Sequence, residues 1–142
     1  MSLFGRGVAG LPEPEPLDFA RLELPRSPNA CLAAPPGFAA AAQLETPLYP
    51  VPPERLFEVL QALAQSYPRT WLLRAWPDRA QAQWVERSAW LGFPDLINAA
   101  AVAREGGSGL VIYSRSLVGW SDLGVNRKRV EAWIAGLEMA VR

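Results

Sequence analysis

Leu110 to Val130 reads LVIYSRSLVGWSDLGVNRKRV and joins the last predicted strand to the last predicted helix. The start of this stretch is rich in β-branched and aromatic residues and follows a glycine-rich turn, which is typical of a strand. Asn126 is a good helix N-cap. Apolar residues then recur at helical spacing, which predicts a helix over 126–140. This strand–turn–helix unit decides the fold, and the rest of the chain is placed around it.

The first turn of this predicted helix carries three cations, Arg127, Lys128 and Arg129. Cations at a helix N-terminus oppose the helix dipole and cost about 0.3–1 kcal/mol each when exposed. Two explanations stay open. One is an anion bound at the helix start, where free backbone N–H groups and arginines meet. The other is a set of ion pairs with the carboxylates Asp122, Asp95 or Glu86.

The ligand hypothesis assigns binding to one set of side chains and a structural role to another. Arginines offer bidentate geometry to a phosphate or carboxylate, and an N-cap amide adds a neutral donor. The predicted ligand-binding residues are Arg115, Asn126, Arg127 and Arg129. The predicted structural polar cluster is Asp95, Ser114, Ser116, Ser121 and Asp122. We expect no catalytic residue, no metal ligand and no cofactor.

The remaining periodic segments predict a helix followed by a sheet. Pro52 and Pro53 mark the start of a helix over 53–66, where a missing N–H costs nothing. Strands are predicted over 69–76, 80–90, 96–104 and 110–116. Residues 96–104 are alanine-rich, but a hairpin across the glycine-rich turn favours a strand. The fold class is therefore α+β, a two-layer sandwich with a four-stranded antiparallel sheet and both helices on one face.

The N-terminal third is rich in proline and predicts little regular structure. Residues 1–16 read as a mobile proline-rich tail, and 17–142 as a single α+β domain. Residues 17–24 predict a short strand or an extended arm, and 26–36 an ordered loop that buries Leu32. The alanine run at 39–43 is a turn of helix or a linker. The second sheet face is left open to this arm, to a partner or to a pocket.

Composition excludes several function classes. The 142 residues include 14 basic and 14 acidic side chains and no His, so neither nucleic-acid binding nor histidine-based catalysis is favoured. Cys31 is the single cysteine, and its apolar neighbours indicate a buried, unreactive thiol. No run of about 20 apolar residues predicts a membrane span, and the first residues lack the apolar core of a signal peptide. We expect a soluble, cytoplasmic protein.

The motif SRSLVGWSDLGVNRKRVEAW resembles the hallmark of the domain of unknown function 1499 family of bacterial proteins. Its matching residues are Ser114, Arg115, Ser116, Gly119, Ser121, Asp122, Gly124, Asn126, Arg127 and Arg129. Phe93-Pro94-Asp95 resembles a second family block, and Ser27-Pro28-Asn29 a weaker third. The similarity covers about Leu24 to Val141. Relatives often carry Cys directly after the Pro-Asn pair, whereas Ala30 intervenes here. The resemblance implies a fold and a domain extent, and no activity.

The first functional interpretation is a non-catalytic binding or interaction module, because no catalytic constellation is present. An enzyme is an alternative, and it would use Asp122, Asp95, Arg115 and Tyr113. A structural protein that forms a homodimer, or binds a protein partner, through the open sheet face is a further alternative. A cavity with convergent polar groups would favour ligand binding, and a flat apolar face would favour assembly.

Overall fold

The computed structural model describes residues 6–142, which contain six strands and two α-helices. In chain order these are β1 (Ala30–Ala34), β2 (Leu44–Glu45), α1 (Pro53–Ser66), β3 (Thr70–Trp76), β4 (Gln81–Arg87), β5 (Pro94–Arg104), β6 (Gly107–Ser116) and α2 (Val125–Ala140). Single turns of 3-10 helix lie at Phe19–Arg21 and Pro77–Arg79. None of the helices in residues 6–142 is long and apolar enough to cross a membrane.

The sheet is mixed, with the strand order β2-β1-β6-β5-β4-β3. Strands β3 to β6 form an antiparallel meander, β1 adds to β6 antiparallel, and β2 pairs with β1 in parallel. The prediction of a four-stranded antiparallel sheet is therefore wrong, although the α+β class holds. The four strands and two helices read from the sequence are all present, including the alanine-rich strand β5.

The missed strand β1 lies inside the segment predicted to be a loop. Its sequence ACLAA is short and alanine-rich, so its own β-propensity is weak. The strand exists because it pairs with β6, where Cys31 faces Ser114 and Leu32 faces Tyr113. A partner more than 80 residues away in sequence leaves no local signal. Burial of Leu32 was predicted and is confirmed.

Both helices pack on one face of the sheet, as predicted. Leu56 and Leu60 of α1 and Leu137 of α2 are fully buried there. Trp133 of α2 stacks on Tyr67 at 5.3 Å between ring centroids and meets Trp84 of β4 edge-on at 5.4 Å. These contacts bury most of the large apolar side chains and fix where α2 begins relative to the ends of β5 and β6.

The opposite face is covered in part by the N-terminal arm, residues 17–24, and by residues 38–42. Gln81 anchors the arm, since its side chain accepts from the amide of Leu17 at 2.7 Å and donates to the Leu17 carbonyl at 3.2 Å. Phe19 is buried against this face. Of the two readings of 17–24, the arm is the one observed, with a single 3-10 turn in it.

The predicted tail lies partly outside the described range, which begins at Arg6. Residues 6–16 contain no helix or strand. They still contact the sheet, because the buried guanidinium of Arg87 donates from Nε to the Gly7 carbonyl at 2.9 Å and from Nη2 to the Ala9 carbonyl at 3.2 Å. Mobility of residues 1–16 stays a prediction.

Candidate functional site

Helix α2 begins one residue earlier than the sequence suggests. Gly124 is its N-cap, with a left-handed φ of 82°, so Asn126 lies inside the first turn and its predicted capping role is wrong. Asp122 performs the capping instead. Its carboxylate accepts from the amide of Gly124 at 2.8 Å and from that of Asn126 at 3.0 Å. A negative charge there is favoured by the helix dipole.

The Asn126 side chain is fully buried, and both its amide oxygen and its amide nitrogen form hydrogen bonds. Its Oδ1 accepts from the Ser114 hydroxyl at 2.6 Å. Its Nδ2 donates to the Asn29 carbonyl at 3.0 Å, the Ser116 hydroxyl at 2.9 Å and the Asp122 carboxylate at 2.6 Å. One amide thereby ties together the chain before β1, the end of β6 and the start of α2.

Arg129 extends this network to the central strands. Its guanidinium pairs with Glu86 of β4 at 2.8 Å and Asp95 of β5 at 2.9 Å, and its side chain is 8% exposed. It also donates to the Asn126 Oδ1 at 2.8 Å and to the Ser114 hydroxyl at 3.1 Å. Its Nε is buried and has no hydrogen-bond partner. We call the connected side chains the motif cluster: Glu86, Asp95, Ser114, Ser116, Asp122, Asn126 and Arg129.

The electrostatics of the motif cluster follow from its burial and pairing. Burial raises the pKa of Asp95, although Arg129 and a hydrogen bond from Ser116 oppose the shift. Burial acts to lower the pKa of Arg129, but Glu86 and Asp95 outweigh it, so that pKa is raised and the cation persists. Burial acts to raise the pKa of Asp122, but hydrogen bonds from Asn126 and Gly124 outweigh burial, so the pKa of Asp122 is lowered. The cluster satisfies its own charges.

The other predicted members lie apart from this cluster. Arg127 is exposed and pairs loosely with Glu131 at 3.8 Å, while Lys128 is exposed. Ser121 is exposed and accepts from the Leu123 amide at 3.3 Å. The four predicted ligand-binding side chains therefore occupy different surroundings: Asn126 and Arg129 are buried in the cluster, Arg127 lies on the outside of α2, and Arg115 lies on the opposite sheet face.

Arg115 lines a cavity of about 650 Å³ between the arm and the sheet, which we call the sheet-face cavity. Strand register builds its floor, because Gln83 of β4, Asn98 of β5 and Tyr113 of β6 pair in one row. Arg115 follows two residues after Tyr113 and so shares its face. The arm supplies the outer wall through Leu17, Leu22, Glu23 and Leu24.

Polar groups in this cavity lack partners. Asn98 is 1% exposed, and while its Oδ1 accepts from Gln83 at 3.0 Å, its Nδ2 is buried with no acceptor. Within residues 6–142 neither the Arg115 guanidinium nor the Tyr113 hydroxyl has a hydrogen bond or ion pair. Burial raises the pKa of Tyr113, with Arg115 opposing, so the phenol stays protonated at neutral pH.

Gln83 and Asn98 were not among the predicted site residues. A usable signal existed, since each is an amide between apolar or alanine neighbours in a strand that the topology makes central. Such residues are seldom buried without a reason. Only the cross-strand register, which places Asn98 between Gln83 and Tyr113 in one row, identifies these residues as one floor.

Cys31 and possible metal ligands offer no competing site. Cys31 is buried on the helix side of the sheet, as predicted, and burial raises the pKa of its thiol. In the described part of the chain, no group of acidic or cysteine side chains is arranged to hold a metal ion.

Comparison with known proteins identifies the family. The sequence profile of the family described as "Protein of unknown function (DUF1499)" matches residues 24–137. The chain belongs to the DUF1499 family. An uncharacterised protein from Rhizobium leguminosarum has a similar structure, with a TM-score of 0.51 and 12% identity over 79% of this chain and 94% of that one. This likeness concerns the fold alone. No curated protein matches significantly.

The three DUF1499-like blocks in the sequence meet in space. Asn29 of the third block accepts from Asn126 through its carbonyl, and its own Nδ2 donates to the Gly119 carbonyl at 2.8 Å. Asp95 of the second block pairs with Arg129. The motif that carries the family resemblance thus largely holds β5, β6 and α2 together through side-chain hydrogen bonds and ion pairs. Ser121 and Arg127 are exposed outside the motif cluster, and Arg115 points to the sheet-face cavity.

Proposed function

We propose that this protein is a non-catalytic binding module that holds a small organic carboxylate in the sheet-face cavity. The observation that carries the proposal is the buried Nδ2 of Asn98, which has no acceptor among residues 6–142 although the residue lines the cavity. An unsatisfied buried donor costs about 1–3 kcal/mol. A ligand oxygen that accepts from it would remove this cost.

The chemistry of the ligand follows from the groups available. Arg115 supplies a permanent positive charge and a planar pair of donors that suits a carboxylate. Asn98 and the neutral Tyr113 hydroxyl supply further donors along the same floor, about two strand residues away, or roughly 7 Å. A second oxygen at that spacing would reach them. Leu17, Leu22 and Leu24 give most of the outer wall an apolar lining for the carbon skeleton, and Glu23 in that wall disfavours a carboxylate there, which leaves Arg115 as its partner.

The cavity also favours binding over assembly. A dimer through an open sheet face requires that face to be free, but the arm and residues 38–42 pack on it. A volume of about 650 Å³ lies within the range of small-molecule sites, roughly 300–1,000 Å³. We therefore favour a ligand over a second copy of the chain on this face.

The anion site predicted at the start of α2 receives less support. Asp122 occupies the backbone donors of Gly124 and Asn126, and Arg129 is neutralised by Glu86 and Asp95. An incoming anion would have to displace carboxylates already in place. Of the predicted ligand residues, we carry only Arg115 into the proposal.

Calorimetric titration with succinate, glutarate and 2-oxoglutarate at low salt tests the proposal. We expect at least one of them to bind, and Arg115→Ala to weaken that binding by about tenfold or more, as loss of a charge-assisted pair does. Arg127→Ala is the matched control, because it removes an arginine from the helix start and should leave the affinity unchanged. No heat with any probe, or loss of binding on Arg127→Ala alone, would contradict the proposal.

A further inference from the structure

Exposed apolar side chains gather at one end of the sheet. This end, which we call the loop end, is where β3 and β5 begin and β4 and β6 finish. Ten large apolar side chains are exposed within residues 6–142. Seven of them lie at the loop end: Val8, Trp71, Trp90, Leu91, Trp120, Leu123 and Val125. Leu72 lies within edge strand β3, and Leu48 and Met139 lie toward the opposite end.

Four of the loop-end side chains, Trp90, Leu91, Trp120 and Leu123, project from two neighbouring loops. Trp90 is 96% exposed on the loop between β4 and β5, and Leu123 is 90% exposed on the loop between β6 and α2. The amide of Leu117 donates to the Pro94 carbonyl at 3.2 Å, which joins the roots of the two loops. Exposed apolar residues that gather in this way mark an interaction surface rather than ordinary solvent contact.

Three cations at this end lack an ion-pair partner in the described residues, and the nearby carboxylate of Asp122 is occupied by the amides of Gly124 and Asn126. Arg6, Arg69 and Lys128 form no ion pair with any residue in 6–142, whereas Glu86 and Asp95 are paired with Arg129. Arg6, Arg69 and the buried Arg87 line a cleft of about 470 Å³ beside Trp71 and Trp90, and no carboxylate lines it. Guanidinium groups in such a cleft match a phosphate.

We propose that the loop end docks on an anionic membrane surface. Trp71, Trp90 and Trp120 would sit at headgroup level, where indoles are enriched because one edge is polar and the body is apolar. Arg6 and Arg69 of the cleft would hold a lipid phosphate, and Lys128 would add attraction to the surface charge. Three indoles beside cations that lack acidic partners favour a lipid interface over a protein partner, whose rim normally supplies both signs of charge.

Vesicle sedimentation of the full chain tests this docking independently of the cavity. We expect binding to vesicles of phosphatidylglycerol and phosphatidylcholine, weaker binding to phosphatidylcholine alone, and a decrease with added salt. Trp90→Ala combined with Trp120→Ala should reduce the partition coefficient by roughly tenfold or more, from lost apolar contact. Leu48→Ala combined with Met139→Ala is the matched control and should leave the coefficient unchanged.

Circular dichroism of each variant separates a folding defect from a docking defect, since all four positions are exposed and should tolerate alanine. A blue shift of tryptophan fluorescence with the mixed vesicles, lost in the double tryptophan variant, would support docking. Three results would overturn it: no binding to the mixed vesicles, binding that the tryptophan variant retains, or burial of these tryptophans by self-association without lipid.

Discussion

The motif cluster and the sheet-face cavity lie on opposite faces of the same three strands, and they treat polar groups in opposite ways. In the motif cluster Asn126 uses both its amide nitrogen and its oxygen, and Arg129 has two carboxylate partners. In the cavity the Asn98 Nδ2, the Tyr113 hydroxyl and Arg115 have no hydrogen-bond or ion-pair partner among residues 6–142, whereas in the motif cluster only the Arg129 Nε lacks one among those residues. The densest polar motif of a sequence can therefore serve to hold its strands and helix together, while polar groups scattered elsewhere in the sequence remain available to a ligand.

The largest expected effect is on the motif cluster. Arg129→Met leaves Glu86 and Asp95 facing each other without a cation, and breaking a buried ion pair in this way costs about 3–5 kcal/mol. Urea unfolding followed by circular dichroism measures the loss. Arg127→Met, which removes an exposed arginine from the same helix turn, should change stability by less than about 0.5 kcal/mol. Equal effects of the two substitutions would contradict the distinction between the buried motif cluster and the exposed face of α2.

The arm on the cavity side is the next test. The sequence predicts that residues 1–16 are a mobile tail, but deleting them takes away the Gly7 and Ala9 carbonyls that accept from buried Arg87. Two buried donors without acceptors should cost about 1–3 kcal/mol. A thermal melt compares this deletion with removal of residues 1–5, which spares both acceptors. An unchanged melting temperature in the longer deletion would restore the original prediction.

Substitution of Asp122 tests how much the capping of α2 contributes to the motif cluster. Asp122→Ala removes a helix cap and a bond to Asn126, and we expect a loss of about 1–2 kcal/mol in urea unfolding. The sequence attributed this carboxylate to pairing with arginines, whereas it caps α2. Arg127→Ala should therefore not reproduce the effect of Asp122→Ala.

The pH dependence of Asp122 has a definite sign. Because its folded pKa lies below the ordinary value of 3.8, its charge stabilises the fold above 3.8, and that contribution is lost as pH falls through the folded pKa. The stability difference between wild type and Asp122→Asn should shrink as the pH of the urea melts is lowered below 3.8. A difference that stays constant would mean that the charge is not the stabilising property.

The smallest expected effect lies in the cavity. Tyr113→Phe removes a hydroxyl with no partner in the described structure, so stability should change by less than about 0.5 kcal/mol. The same substitution should weaken carboxylate binding by several-fold, because one donor to the ligand is lost. Tyr67→Phe, on the helix side of the sheet, is the matched control for binding. A Tyr113→Phe variant with lower stability and unchanged binding would reverse the roles given to the two regions.

Local physical chemistry accounts for what the sequence predicted. Hydrophobic periodicity and turn residues located α1, α2 and the meander β3 to β6, because those signals lie within each segment. The strands β1 and β2 were not predicted, because ACLAA forms a strand by pairing with β6, and LE by pairing with β1. Non-local pairing of this kind is absent from short windows of sequence.

The candidate site shows the same limit. The resemblance located the residues of the motif cluster, yet it could not say which charges were already paired. The sequence does not distinguish Arg115 from Arg129. Strand alternation places Arg115 in the cavity, whereas the position of Arg129 on α2 brings it into contact with Glu86 and Asp95. Gln83 and Asn98 became visible only when three strands were placed side by side.

Side-chain amide signals in a nitrogen–proton NMR spectrum give the most direct test of the central claim. Asn98 lies in the cavity and Asn126 in the motif cluster, and each carries one such amide that can be observed without altering the protein. During titration with 2-oxoglutarate, or with whichever of the three probes binds most tightly, we expect the Asn98 signals to move and saturate while those of Asn126 stay fixed. Movement of the Asn126 signals and of the Lys128 backbone amide, with Asn98 unchanged, would contradict it.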